Sequence, residues 1–207
     1  MIEIFVSAFV TFFVVIDPPG CAPIFASLTQ GAAAAHRRAM AIRATAIAAA
    51  ILLFFALLGE DLLRTLGISL AAFRIAGGIM LFLIALEMVF EKRQERRENR
   101  ANEINAGPEQ EDISVFPMAI PMIAGPGSIA SVMLLMARSS GLQGSLIVLA
   151  ALGAVLLLTL LALLAAGPIM RLLGTKVEGM ITRILGVILA ALAAQFVIDG
   201  ISISFSV

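Results

Sequence analysis

Tryptophan and tyrosine are absent from the 207 residues, so any aromatic belt at a membrane interface has to be built from the 13 phenylalanines. One cysteine, Cys21, and one histidine, His36, exclude a disulfide framework and argue against a Cys/His metal centre. Nothing else in the pattern implies a cofactor. Charge is scarce too. Asp, Glu, Lys and Arg make up 14% of the chain, and fourteen basic residues cancel fourteen acidic ones, which leaves no electrostatic case for nucleic acid. No Lys or Arg precedes Arg37, so the apolar N-terminus lacks the basic n-region of a cleaved signal peptide. What fills the chain is apolar: 61% hydrophobic residues and a mean hydropathy of +1.07, against roughly 45–50% apolar in a soluble domain. The implied solvent is lipid.

A helix needs about 20 residues to cross the hydrocarbon core. The apolar runs predict six spans, over 4–28, 39–59, 67–90, 114–137, 145–166 and 180–199. Between the third and fourth lies the one long polar stretch, Glu91 to Asp112, which reads as a solvated linker that is helical at its start. Basic residues near span ends set orientation. The first, third and fifth loops hold ten of them: Arg37, Arg38, Arg43, Lys92, Arg93, Arg96, Arg97, Arg100, Arg171 and Lys176. The second and fourth hold two, Arg64 and Arg138. This asymmetry predicts cytoplasmic odd loops, a cytoplasmic charged loop and both termini outside.

Six of the eight prolines sit in two clusters, each inside an apolar run: Pro18, Pro19 and Pro23, then Pro117, Pro121 and Pro126. Proline removes a backbone donor and clashes with the preceding turn, so each cluster should break its span. Freed amides and carbonyls in hydrocarbon survive only where protein, water or ligand satisfies them. Paired breaks in corresponding places of two halves point to a transporter's binding site. The halves match at a nearly constant offset. Pro19-Gly20 pairs with Pro126-Gly127, Leu66-Gly67 with Leu173-Gly174, and Arg74-Ile75-x-Gly77 with Arg183-Ile184-x-Gly186. Three spans per copy invert the second copy relative to the first. The expected architecture is an all-α membrane protein: residues 1–90 as one three-helix repeat, 91–112 as a charged cytoplasmic loop, and 113–207 as the inverted repeat, with helices 1 and 4 discontinuous.

A helix restarting after Gly20 and after Gly127 would present unpaired amides and the positive end of a dipole, at Cys21-Ala22 and Ser128-Ile129, to a carboxylate or other anion. The neighbours Gly20, Ala22, Ala124, Gly125, Gly127, Ser128 and Ser131 are small, which suits a small solute and excludes a bulky one; small residues also simply let helices pack closely. Asp17 lies inside the first span, where an ionised carboxylate costs about 2.5–3.5 kcal/mol on insertion scales. It could receive an ammonium, hold a coupling sodium ion or proton, or cap the restarting helix. Arg74, inside the third span, could pair with Asp17 or reach the interface. Gly77, Gly78 and Gly186 read as close-packing positions. A serine protease would need a buried base beside Ser128, and an aspartyl protease a second buried carboxylate facing Asp17; the pattern supplies neither, so no enzyme is expected.

Asp17-Pro18-x-Gly20-x-x-Pro23-x-Phe25, Pro121-x-x-x-Gly125-Pro126-Gly127-x-Ile129 and Phe73-Arg74-Ile75-Ala76-Gly77-Gly78 together resemble the MarC family of bacterial inner-membrane proteins, and the likeness covers essentially the whole chain. The family also carries the name of neutral amino acid transporters. The resemblance implies a multi-pass inner-membrane carrier of glycine- or alanine-like amino acids. A channel, an exporter of another small solute, and a structural membrane protein are the alternatives.

Overall fold

The computed structural model describes residues 1–105, 112–139 and 141–205, with the side chains of Gln94, Arg100, 102–105 and 167–178 left aside. The fold is all-helical. The apolar N-terminal run forms α1 (Ile2–Ile16), and the chain then turns through Asp17 into α2 (Pro18–Leu28). After a short turn come α3 (Ala34–Thr65), α4 (Leu70–Val89) and the charged α5 (Lys92–Asn105). An irregular wide-turn segment (Ser114–Ile123) leads into α6 (Pro126–Arg138), followed by α7 (Gly141–Leu164) and α8 (Ala166–Phe205).

Among the described residues, five helical stretches are long and apolar enough to cross a membrane: Ile2–Leu28, Ala34–Thr65, Leu70–Val89, Gly141–Leu164 and Gly179–Phe205. A sixth forms if Ser114–Ile123 and Pro126–Arg138, bent by 52° at their junction, count as one broken span. These match the six expected runs within a few residues at most ends. On α3 the inward face recurs at helical spacing through Ala41, Ala44, Ala48, Leu52 and Ala56, while Leu53, Phe54, Leu57 and Leu58 point outward. Outward apolar side chains of this kind are the surface a bilayer solvates. Hydroxyls along the helices turn back on their own backbone: Thr11 donates to the Ser7 carbonyl, Thr45 to Ala41 and Thr159 to Val155.

Glycines let α4 and α8 approach closely. A Cβ at Gly78 would meet the Ala193 carbonyl at 2.9 Å, one at Gly186 the Ala85 carbonyl at 3.1 Å, and one at Gly200 the Ala71 carbonyl at 3.0 Å. Rising numbers on α4 meet falling numbers on α8, so the two run antiparallel, backbone against backbone. Gly77 instead receives Leu134 of α6. The close-packing expectation holds at all three glycines it named.

Charged residues sort into two bands. One holds Arg43 with Asp112, Arg96 with Glu87 at 2.7 Å, and Arg183 with Glu91 at 2.6 Å. The other holds Arg64 with Asp61 and Arg138 with Asp199 at 3.4 Å. The first band joins the start of α3, the end of α4 and the α8 span near Arg183, so these ends share one side of the bundle. Asp112 is also anchored by the Ser114 hydroxyl and amide, which hold its carboxyl below the usual carboxylate range. Residues 106–111 of the expected linker, and the side chains of Arg171 and Lys176, lie outside the described residues.

Candidate functional site

The first break is built by what proline cannot do. Pro19 has no N–H to give the Val15 carbonyl, four residues back, so that carbonyl loses its helical partner. Asp17 turns the chain at φ 60° and ψ 64°, a left-handed conformation tolerated by aspartate better than by most residues. It then caps α2, its Oδ1 accepting from the Gly20 amide at 3.2 Å while its carbonyl accepts from the Cys21 amide at 3.0 Å. Pro18 and Pro19 fill the first helical positions, where proline is favoured because no donor is needed. Cys21 places its thiol 3.4 Å from the Ile16 carbonyl and is fully buried.

The restart therefore comes at Pro18, three residues before the expected point. The Cys21 amide, expected to meet an anion, donates instead to the Asp17 carbonyl, and Ala22 lies inside α2 beyond its first turn, so the anion-binding amides expected there are not on offer. Gly20 nevertheless has a steric reason for lacking a side chain. A Cβ would fall 2.2 Å from Asp17 Oδ2 and 2.9 Å from Arg97 Nη1.

The second of those contacts comes from α5. Arg97 Nη1 donates to Asp17 Oδ2 at 2.8 Å, with side chains only 10% and 2% exposed. Arg93 Nη2 donates to the Val15 carbonyl at 2.7 Å, replacing the hydrogen bond that Pro19 cannot make. The polar stretch is helical from its start, as expected, but two of its arginines turn inward and complete the broken first span. Arg74 does not pair with Asp17. It donates to the Ala137 carbonyl at 3.3 Å, in the last turn of α6, some ten residues along that helix from the break. An Arg at a helix C-terminus satisfies an orphan carbonyl and favours the dipole.

The second break follows the same logic differently. Pro117 cannot donate to the Ile113 carbonyl, so Met118 does, at 3.3 Å, one residue late; the Ala124 amide reaches the Ala119 carbonyl in the same wide pattern at 2.9 Å. Phe116 (φ −127°, ψ 126°) and Ile120 (φ −126°, ψ 122°) are extended, as residues before proline prefer. Both peptide bonds into Pro117 and Pro121 are cis. At Gly125 the backbone passes so close that a Cβ would lie 2.4 Å from the Pro121 carbonyl oxygen. α6 then starts at Pro126 with no side-chain cap; the Gly127 and Ser128 amides have no partner among the described residues, and the next amide, Ile129, donates to Gly125.

The two breaks meet. A Cβ on Gly127 would sit 3.2 Å from Val15 Cγ1 and 2.5 Å from Ile84 Cδ1. Between them lies a cavity of about 260 Å³, lined by Gly125, Pro126, Gly127 and Ser128 on one side and by Val15, Ile24, Glu87, Arg93, Arg96 and Arg97 on others; Pro121 also contributes. Asp17, Gly20, Cys21 and Ala22 stand behind this wall rather than on it, with Asp17 reaching the cavity through Arg97. Pro23 lies inside α2, and Ser131 is fully buried one turn below Ser128, its hydroxyl without a partner among the described residues. Of the expected binding residues, then, the cavity brings together Gly125, Gly127 and Ser128, and the cations facing them, Arg93, Arg96 and Arg97, belong to the charged stretch after the third span.

Charge in the cavity is unbalanced. Arg96 is taken by Glu87 and Arg97 by Asp17, which leaves Arg93 with no carboxylate in ion-pair range among the described residues. Burial, then the neighbouring Arg97 charge, push the Arg93 pKa down to about 10, so the guanidinium stays charged at neutral pH but poorly compensated. No cluster of metal-ligating side chains occurs among the described residues.

The profile of the MarC family integral membrane proteins matches residues 2–205. The UPF0056 membrane protein MJ1677 of Methanocaldococcus jannaschii is 39% identical over 200 residues, covering 97% of both chains. A UPF0056 membrane protein of Aquifex aeolicus is 34% identical over 198 residues, 96% of this chain and 92% of its own. The inner membrane protein YhgN of Escherichia coli is 34% identical over 143 residues, 69% of each chain. These names state a membrane location and no substrate. No solved structure matches. With likeness running almost from end to end, the chain belongs to the MarC family of multi-pass integral membrane proteins.

Proposed function

We propose that the protein is a secondary transporter of small neutral amino acids of the glycine or alanine kind, coupled to a sodium or proton gradient. The observation that carries this reading is the meeting of two interrupted helices at one cavity, with the uncapped N-terminus of α6 in its wall. At about 260 Å³ the cavity is smaller than the ~300–1,000 Å³ of drug-sized pockets, which suits a small solute. The antiparallel α4 and α8, and the sorting of charges into two bands, support two inverted three-helix repeats. By the excess of basic residues in odd loops, α5 lies on the cytoplasmic side and both termini lie outside a plasma membrane.

Asp17 is the coupling group in this reading. A proton or sodium ion on its carboxylate competes with Arg97, and loss of that ion pair frees α5 to leave the break, exposing the cavity to the α5 side. Gly20, Cys21 and Ala22 serve by packing α2 tightly around the break, and Ser131 supplies a hydroxyl below the cavity floor. Uptake of radiolabelled glycine and alanine into proteoliposomes, with imposed sodium and proton gradients, tests the reading. Gradient-driven accumulation is expected. Flux of small amino acids that runs only downhill, whatever the gradients, would instead make the protein a channel, and no flux at all would remove the transport reading.

A further inference from the structure

We propose that this cavity recognises its ligand through a carboxylate and does not read the ammonium group, so that small monocarboxylates lacking an amino group bind it as well as amino acids do. The inference deepens the transport reading and rests on it for the identity of the natural ligand. Four groups converge on the anion. The amides of Gly127 and Ser128 head α6, a thirteen-residue helix whose first turn carries the positive end of the dipole. Ser128 lines the cavity at 3% exposure, and its hydroxyl has no hydrogen-bond partner among the described residues. Arg93, opposite, is held by the Val15 carbonyl at 2.7 Å and lies 3.1 Å from Met88 Sδ, neither of which neutralises its charge.

An ammonium finds little in the same cavity. Two carboxylates are near, Glu87 and Asp17. Glu87 is held by Arg96 at 2.7 Å, and Asp17 sits behind Arg97 at 2.8 Å. A substrate ammonium would have to displace a guanidinium from either. Three arginines against two carboxylates leave one net positive charge among the described side chains around the cavity. A monoanion neutralises that charge, whereas a zwitterion supplies the same carboxylate together with a cation the site must tolerate.

Isothermal titration calorimetry of the purified full-length protein in detergent separates the groups, using L-alanine, propionate and ethylamine as probes. Propionate and alanine are expected to bind within about threefold of each other, and ethylamine at least about tenfold more weakly. Arg93→Gln should weaken alanine and propionate together by about tenfold or more, since a charge-assisted contact is lost. Arg93→Lys, which keeps the charge and is the safer variant for folding, should fall between. Ser128→Ala should weaken both by a few fold. Alanine binding without propionate binding would overturn the inference, as would ethylamine binding as tightly as alanine, an unaltered affinity in Arg93→Gln, or no binding of either carboxylate. Proteoliposome uptake of alanine is the separate readout. Carboxylate-dependent binding without uptake sinks the transport reading and leaves the anion site standing, while uptake with carboxylate-independent binding does the reverse.

Discussion

Replacing Asp17 with Asn separates the two jobs this side chain performs. Asn caps helices about as well as Asp, so its side-chain oxygen can still accept from the Gly20 amide. What disappears is the negative charge, and Arg97, only 10% exposed, is left without its counter-ion. Removing one partner of a buried pair costs about 3–5 kcal/mol, mostly because the other charge stays buried and unpaired. Arg97→Gln should cost a similar amount, for the mirror-image reason. In Asp17→Asn/Arg97→Gln neither charge remains, so the double variant should lose only about 1–3 kcal/mol and the cycle should close with a coupling above about 3 kcal/mol. With no Trp or Tyr, intrinsic fluorescence is weak, but Cys21 is the single thiol and is fully buried. Denaturant titration in detergent can therefore be followed by Cys21 labelling with a fluorogenic thiol reagent, and by far-UV circular dichroism in parallel. Losses that add to within about 0.5 kcal/mol would refute the view that α5 is pinned to the break by this pair.

The folded wild type should label at Cys21 slowly and without regard to added amino acid, whereas Asp17→Asn should label several times faster as α5 loosens; rapid labelling of the wild type would contradict the burial. Ser131→Ala removes a buried hydroxyl that has no partner among the described residues, so stability should hold or rise by up to about 1 kcal/mol, and a simultaneous fall in uptake would assign that hydroxyl to the substrate path. Gly125→Ala puts a Cβ 2.4 Å from a backbone oxygen that no rotamer can move, and should cost about 2 kcal/mol or more; Gly153→Ala, with no atom within 4 Å, should instead stabilise α7 by up to about 1 kcal/mol. Thermal unfolding by circular dichroism distinguishes the two directions.

Span positions were legible because lipid imposes a length and a composition, and the proline clusters were legible because a missing donor has one meaning inside a helix. The contact glycines on α4 and α8 were readable for the same kind of reason. Local chemistry misled at one point, where Pro18 at a first helical position was outweighed by Gly20 as the apparent restart. The partner of Asp17 was not legible. Arg74 offered itself as a cation inside a span, while Arg93 and Arg97 looked like ordinary solvated linker residues. Helical periodicity puts them one turn apart on a face of α5, but only tertiary packing decides that this face lies over the first break. A signal was present in the count of orphan groups: Val15 had lost its helical donor, Asp17 was ionisable, and two arginines four residues apart stood together in the polar stretch after the third span.

That arrangement also dates the assembly of the protein. Arg93 lies 78 residues, and Arg97 80 residues, downstream of the groups they satisfy. At ~5–20 residues per second, synthesis leaves the N-terminal span with a bare carbonyl and an unmatched acid for ~4–16 s. During that interval the insertion machinery or trapped water has to shelter the defect. A nascent chain halted before residue 93 would hold its first span in that unfinished condition, which makes the charged helix the step that licenses the N-terminus to settle into lipid.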